Sequence, residues 1–92
     1  LASRWKGEGK IFAVKHQGRD YFPGFQFDRN GRPWEVIAAV LEALGGARGW
    51  ETALWFTAPS GYLEGRRPVD LLESDSGAVV ESAEREGAEV YF

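Results

Sequence analysis

Hydrophobic residues recur with two different periods along this chain, and the change from one to the other divides it. From Lys10 to His16 (KIFAVKH) side chains alternate, so a strand would place Phe12, Val14 and His16 on one face and Ile11, Ala13 and Lys15 on the other. Gln17-Gly18-Arg19 reads as a turn, and Asp20 to Phe22 returns as a second strand that Pro23, lacking an N–H, must end or push to an edge. A hairpin is marginal in water by itself, so its aromatic neighbours Phe22, Phe25 and Phe27 are expected to dock it on the rest.

Beyond the Asp28-Arg29-Asn30-Gly31 turn the period lengthens. Pro33 suits a first helical position, and Trp34, Ile37, Val40, Leu41 and Leu44 recur at spacings of three and four, predicting one buried stripe that Gly45-Gly46 stops. A second helix is expected after Gly49, with Trp50, Ala53, Leu54 and Thr57 on a common face, until Ala58-Pro59-Ser60-Gly61 breaks it. Tyr62-Leu63-Glu64 reads as a short turn ended by Gly65, and Pro68 as the opening of another, with Leu71 and Leu72 inward. Ser74-Asp75-Ser76 offers caps for a last helix from Gly77 to about Glu86, with Val79, Val80 and Ala83 as its apolar side; the tail GAEVYF is left without one.

The predicted fold class is therefore α+β, an N-terminal β-hairpin followed by a compact bundle of about four short helices. Residues 1–28 form the hairpin and aromatic linker and residues 29–92 the helical part, packed as one compact unit. Trp50, Leu54, Leu63, Pro68, Leu71 and Leu72 are expected in the core, as are Trp5 and Trp34, whose alternative use would be a self-association surface.

At 92 residues a domain buries only about 60 to 65% of its unfolded surface, so the core must be dense. Four Trp, six Phe and three Tyr supply the material. Without Cys, disulfides and thiolate metal sites are excluded, which suits a reducing cytosol, and no apolar run approaches the roughly 18 residues of a membrane span; a cytoplasmic protein is expected. The chain contains no Met, so it is expected to have been trimmed or to be the C-terminal part of something longer.

Charge is unevenly spread. Residues 1–32 carry seven Lys or Arg against three acids, a balance of +4, whereas residues 33–92 carry four Arg against eleven acids, a balance of −7. Such a split suits a basic end facing nucleic acid and an acidic end facing a basic protein.

Catalytic patterns are sparse. His16 is the sole histidine, and a triad with Ser60 and Asp70 has no activating motif around it. Gly45-Gly46-Ala47-Arg48-Gly49 follows a helix and lacks the Gly-Lys-Ser/Thr ending of a phosphate loop. No enzyme activity, metal or cofactor is expected.

The helical part resembles the toxin-binding domain of Xre/MbcA/ParS-type antitoxins, partners of RES-type toxins. The likeness rests on Gly31 and Pro33 before a helix rich in Val and Leu, then Trp50, Ala53, Trp55 and Phe56, then Leu63, Gly65, Pro68, Asp70, Leu71 and Leu72, and lastly Val79, Val80 and Ala83. Leu-x-Gly-x-x-Pro-x-x-Leu-Leu is its most specific piece, and the whole spans roughly residues 21 to 86. Ala58 departs from the Asn that many relatives place before the following proline.

The resemblance implies a type II antitoxin that neutralises an NAD-consuming RES-type toxin; the balance of −5 from Glu73 onward, six acids against Arg85, is expected to steer that segment to the toxin's basic NAD pocket and cover its active site. It also implies autoregulation through operator DNA bound by an upstream helix-turn-helix region, and leaves room for homo-oligomers within the toxin complex. The toxin-facing candidates are Arg66 and Arg67, suited to bidentate contacts with carboxylates, and an acidic arm with aromatic anchors comprising Glu81, Glu84, Arg85, Glu86, Glu89, Tyr91 and Phe92. A nucleic-acid module of winged-helix type is the alternative, with Lys10, Lys15 and Arg19 of the hairpin laid along phosphates.

Overall fold

The computed structural model describes residues 1–89. In chain order it comprises α1 (Ala2–Gly7), β1 (Val14–His16), β2 (Arg19–Tyr21), a 3₁₀ turn (Gly24–Gln26), α2 (Glu35–Ala43), α3 (Trp50–Thr57), two further 3₁₀ turns (Gly61–Leu63 and Pro68–Leu71) and α4 (Ser76–Glu89). The class is α+β, as the two periods predict. Among the described residues, no helix is long and apolar enough to cross a membrane.

The hairpin is shorter than its alternating sequence. β1 and β2 pair antiparallel with Val14 opposite Tyr21 and His16 opposite Arg19, closed by Gln17 and Gly18, both at positive φ as a two-residue primed turn demands. Residues 11–13 leave the strand because the backbone of Phe12 finds a different partner. The Gln26 side-chain Oε1 accepts the Phe12 N–H at 2.8 Å, and its Nε2 donates to the Phe12 carbonyl at 2.9 Å and the Pro23 carbonyl at 3.2 Å. A side chain thus does what a neighbouring strand would do. Ile11 and Phe12 are consequently both buried, which alternation forbids.

Gln26 also fixes where α2 begins. Its carbonyl accepts the Trp34 amide at 2.9 Å, and Phe27 bridges to Pro33, so the segment folds back across the Asp28 turn. Trp34 is held in extended geometry as the N-cap and the helix starts at Glu35, two residues later than the proline suggested. Its buried stripe is Val36, Ile37, Val40 and Leu41, with Trp34 and Leu44 only half-buried. Gly45 and Gly46 end α2 by donating to the carbonyls of Glu42 and Leu41.

α3 presents a different face from the one expected. Every side of WETALWFT has an apolar residue, so periodicity does not single one out; packing selects Phe56, whose ring stacks on Phe12 at 5.8 Å and meets Phe25 at 5.2 Å. Thr52 turns inward one helical turn earlier, its hydroxyl accepting the Arg48 amide at 2.8 Å. Trp50 and Leu54, expected in the core, are 60% and 65% exposed, and the Trp50 indole N–H donates to the Lys15 carbonyl at 2.8 Å, tying α3 to the hairpin.

Leu63, Pro68, Leu71 and Leu72 are buried where the sequence reading put them, under the last helix. α4 runs three residues beyond its expected end at Glu86. The reason is Gly87, which is buried against α2: a Cβ there would lie 2.1 Å from the Ala43 carbonyl oxygen. α1 was not anticipated, because six residues with Trp5 as their one large apolar side chain show no period; Trp5 packs on Phe27 at 6.0 Å.

Two stability tests follow from these contacts. Gln26→Leu keeps the bulk but strips partners from the buried Phe12 N–H and C=O, at about 1 to 3 kcal/mol each, so urea unfolding should register a loss of about 2 to 6 kcal/mol. Gly87→Ala gains about 1 kcal/mol of helix propensity but overpacks a backbone carbonyl, which typically costs about 1 to 3 kcal/mol, and the clash wins. Gly77→Ala, in the same helix with open space around it, should instead leave stability equal or higher; destabilisation of both variants alike would refute the packing account.

Candidate functional site

α4 and the loop before it carry most of the sequence-predicted contact residues. The Asp75 carboxylate caps the helix by accepting the Ala78 amide at 3.3 Å, and Val79, Ser82, Ala83 and Gly87 face inward. Ser82 is satisfied by donating to the Val79 carbonyl at 2.8 Å. With that side buried and Glu86 half-buried, the exposed charged residues fall on two edges.

Glu81, Arg85 and Glu89 follow each other at four-residue spacing along one edge. Arg85 pairs with Glu81 at 3.3 Å and lies over the Tyr62 ring at 5.7 Å, and the Tyr62 hydroxyl donates to Glu89. Tyr62, from the Gly61–Leu63 turn, is thereby part of this edge, which sequence reasoning missed; it lies 23 positions before Arg85 and no local pattern links them. Glu84 stands on the other edge, where with Glu42 it flanks a groove of about 450 Å³ floored by Ala43, Val80 and Gly87. Tyr91 and Phe92 lie outside the described residues.

Arg66 and Arg67 do not stand free. Arg67 forms the bidentate bond anticipated for it, but with Asp70 of its own chain, Nε to Oδ2 and Nη2 to Oδ1 both at 2.9 Å. That bonding lowers the Asp70 pKa and raises that of Arg67. Arg66 donates through Nε to the Leu63 carbonyl at 3.0 Å and reaches Glu64 at 3.6 Å.

At the basic end the charges are partly neutralised. Lys15 of β1 and Lys6 of α1 converge on Asp20 at 3.2 and 2.8 Å, and Lys10 approaches Glu8 at 3.4 Å. The hydrogen bond from Lys6, then that from Lys15, holds the Asp20 carboxyl below its ordinary value. Arg19 makes no ion pair among the described residues.

The residues weighed for catalysis have other occupations. His16 stands edge-on to Tyr21, ring centres 6.1 Å apart, Asp70 is held by Arg67, and the buried Ser60 hydroxyl has no hydrogen-bond partner among the described residues. Nor do three His, Asp or Glu side chains converge as a metal cluster among those residues. Compared with protein-family models, curated proteins and solved structures, the chain matches none.

The two depressed carboxylates contribute to the acid limb of stability. Their folded pKa values lie below the ordinary aspartate value of 3.8, so their contribution is complete above that pH and is lost as pH falls through the lower folded values. Both pairs are exposed, so Asp20→Asn should change urea midpoints little at neutral pH but flatten their decline below about pH 4. An unchanged acid slope would show that Asp20 ionises alike in the folded and unfolded chain.

Proposed function

We propose that this chain is the toxin-binding domain of a type II antitoxin, acting stoichiometrically and without turnover in the cytoplasm on a RES-type, NAD-consuming toxin. The observation that carries this reading is α4: a helix seated on α2 by small residues, with Glu81 and Glu89 exposed along one edge and Glu84 exposed on the other. A pocket that holds a dinucleotide pyrophosphate must be basic, so an acidic helix is steered to it and, once docked, excludes the substrate. The spacing of Leu63, Gly65, Pro68, Leu71 and Leu72, buried except at the glycine, supports the reading, because these residues define the platform beneath α4.

Arg85 has a positioning part in this proposal, holding Glu81 and Tyr62 together along one edge. Arg66 and Arg67, already bonded within the chain, contribute shape and local charge; a carboxylate from the toxin would have to displace Asp70 from Arg67. Operator binding belongs to an upstream region in this proposal.

Co-expression with a RES-type toxin tests it. The chain should restore growth and co-purify with the toxin, and Glu81→Lys combined with Glu84→Lys should weaken the complex at least tenfold, about 1.4 kcal/mol, without lowering the unfolding midpoint. Removal of residues 90–92 asks separately whether Tyr91 and Phe92 contribute. A complex indifferent to the charge reversals would refute the acidic-helix mechanism, and failure to bind any RES-type toxin while DNA affinity falls steeply with salt would favour the nucleic-acid alternative.

A further inference from the structure

A second site lies on the opposite charge pole. Between α1 and the start of α2 is a cleft of about 410 Å³, within the roughly 300 to 1,000 Å³ typical of small-molecule sites. Its walls include two tryptophans, Trp5 and Trp34, and its charged groups are Lys10, Arg32 and Glu35. Both indoles are only half-buried, so part of each remains open to a ligand.

The backbone under these groups is fixed. The Trp5 carbonyl accepts the Lys10 amide at 2.9 Å, which joins one indole to one cation. Trp34 is held through its amide by Gln26. Arg32 is pinned at both backbone groups by Asp28, its N–H to the carboxylate at 3.1 Å and its carbonyl to the Asp28 amide at 2.8 Å, while its guanidinium has no partner among the described residues. A free cation on a rigid base beside two aromatic side chains is a recognisable chemistry. Indole faces take flat rings, and Lys and Arg take phosphate.

Glu35 and the far side of Trp34 narrow the ligand class. Two indoles and a carboxylate alone would suit a quaternary ammonium group, but Arg32, together with Lys10, which also reaches Glu8 at 3.4 Å, outnumbers Glu35, the one carboxylate lining the cleft, and repels a cation. On the other side of the Arg32–Trp34 segment, the adjoining cavity carries Asp28, Glu35 and Glu73 against Arg32 alone, so an anion is directed to the Trp5 side. Glu35 accepts hydrogen bonds and suits a ring bearing an amine. We propose that the cleft binds a nucleoside monophosphate unit whose base carries an exocyclic amine, the base against Trp5 and Trp34 and the phosphate on Lys10 and Arg32. This site uses other residues than the toxin-facing helix and stands or falls separately from it.

The test follows the four indole N–H signals of the full chain by NMR during titration with adenosine monophosphate. The Trp5 and Trp34 signals should shift and saturate, with a dissociation constant on the order of 1 mM or below, while Trp50 and Trp55 stay in place. Adenosine without phosphate, and Arg32→Glu or Lys10→Glu chains that retain the Trp50 and Trp55 signals, should each bind at least about tenfold more weakly. A 5′-phosphorylated oligodeoxyadenylate separates the two sources: tighter, salt-sensitive binding identifies the end of a single strand, and binding no tighter than the mononucleotide identifies the free nucleotide. Absence of saturable shifts at Trp5 and Trp34, equal affinity for adenosine, or shifts that depend on protein concentration instead of ligand would overturn the proposal, the last by showing that a second copy fills the cleft.

Discussion

Three parts of this chain meet at one buried amide. The Gln26 side chain satisfies both backbone groups of Phe12, and its backbone carbonyl takes the Trp34 amide, so the segment before the hairpin, the 3₁₀ turn and the start of α2 are joined through a single fully buried residue. Burying a primary amide is unfavourable unless its groups are satisfied, and here both Nε2 donors and Oε1 have partners. Because these bonds are directional, they fix position where hydrophobic burial alone would tolerate sliding. The short sheet can afford only three residues per strand because Gln26 extends its role beyond β1.

From that anchor the aromatic core follows. Phe12, set by Gln26, stacks on Phe56, and Phe25 closes on both, so α3 must turn its Phe56 side inward whatever its other residues prefer. Trp50 and Leu54 are left outside as a result. α2 then fills the remaining side with four aliphatic residues, and α4 covers the Leu63, Leu71 and Leu72 platform.

This ordering explains what was legible in the sequence. α2 could be read because its apolar residues form one stripe, and the Pro68 turn and the Asp75 cap could be read because each needs a particular residue at a particular place. The inward face of α3 could not, since its local sequence is apolar all round and the choice is made by Phe12, 44 positions earlier. Residues 11–13 misled for the same reason: alternation describes a strand, but a side chain replaced the strand partner. Among the contact candidates, the exposure of Glu81 and Glu84 was legible as helical spacing, whereas Glu89 lay beyond the expected helix end, and the engagement of Arg67 by Asp70 and of Arg85 by Tyr62 depended on bonding geometry that residue type alone does not supply.

The meeting of Gly87 with the Ala43 carbonyl has a consequence for how α4 displays its charges. Successive residues of a helix are about 100° apart, so a helix pressed against a neighbour can settle at several azimuths unless one is forced. Only a residue without a side chain fits against that carbonyl, and among residues 82–89 Gly87 is the only one, so the contact acts as a key in a slot. A one-residue turn of the helix would carry the Glu81, Arg85 and Glu89 row away from Tyr62 and swing Glu84 out of its place beside Glu42. A single hydrogen atom where other residues have a carbon thus indexes the angle at which both charged edges meet whatever approaches them.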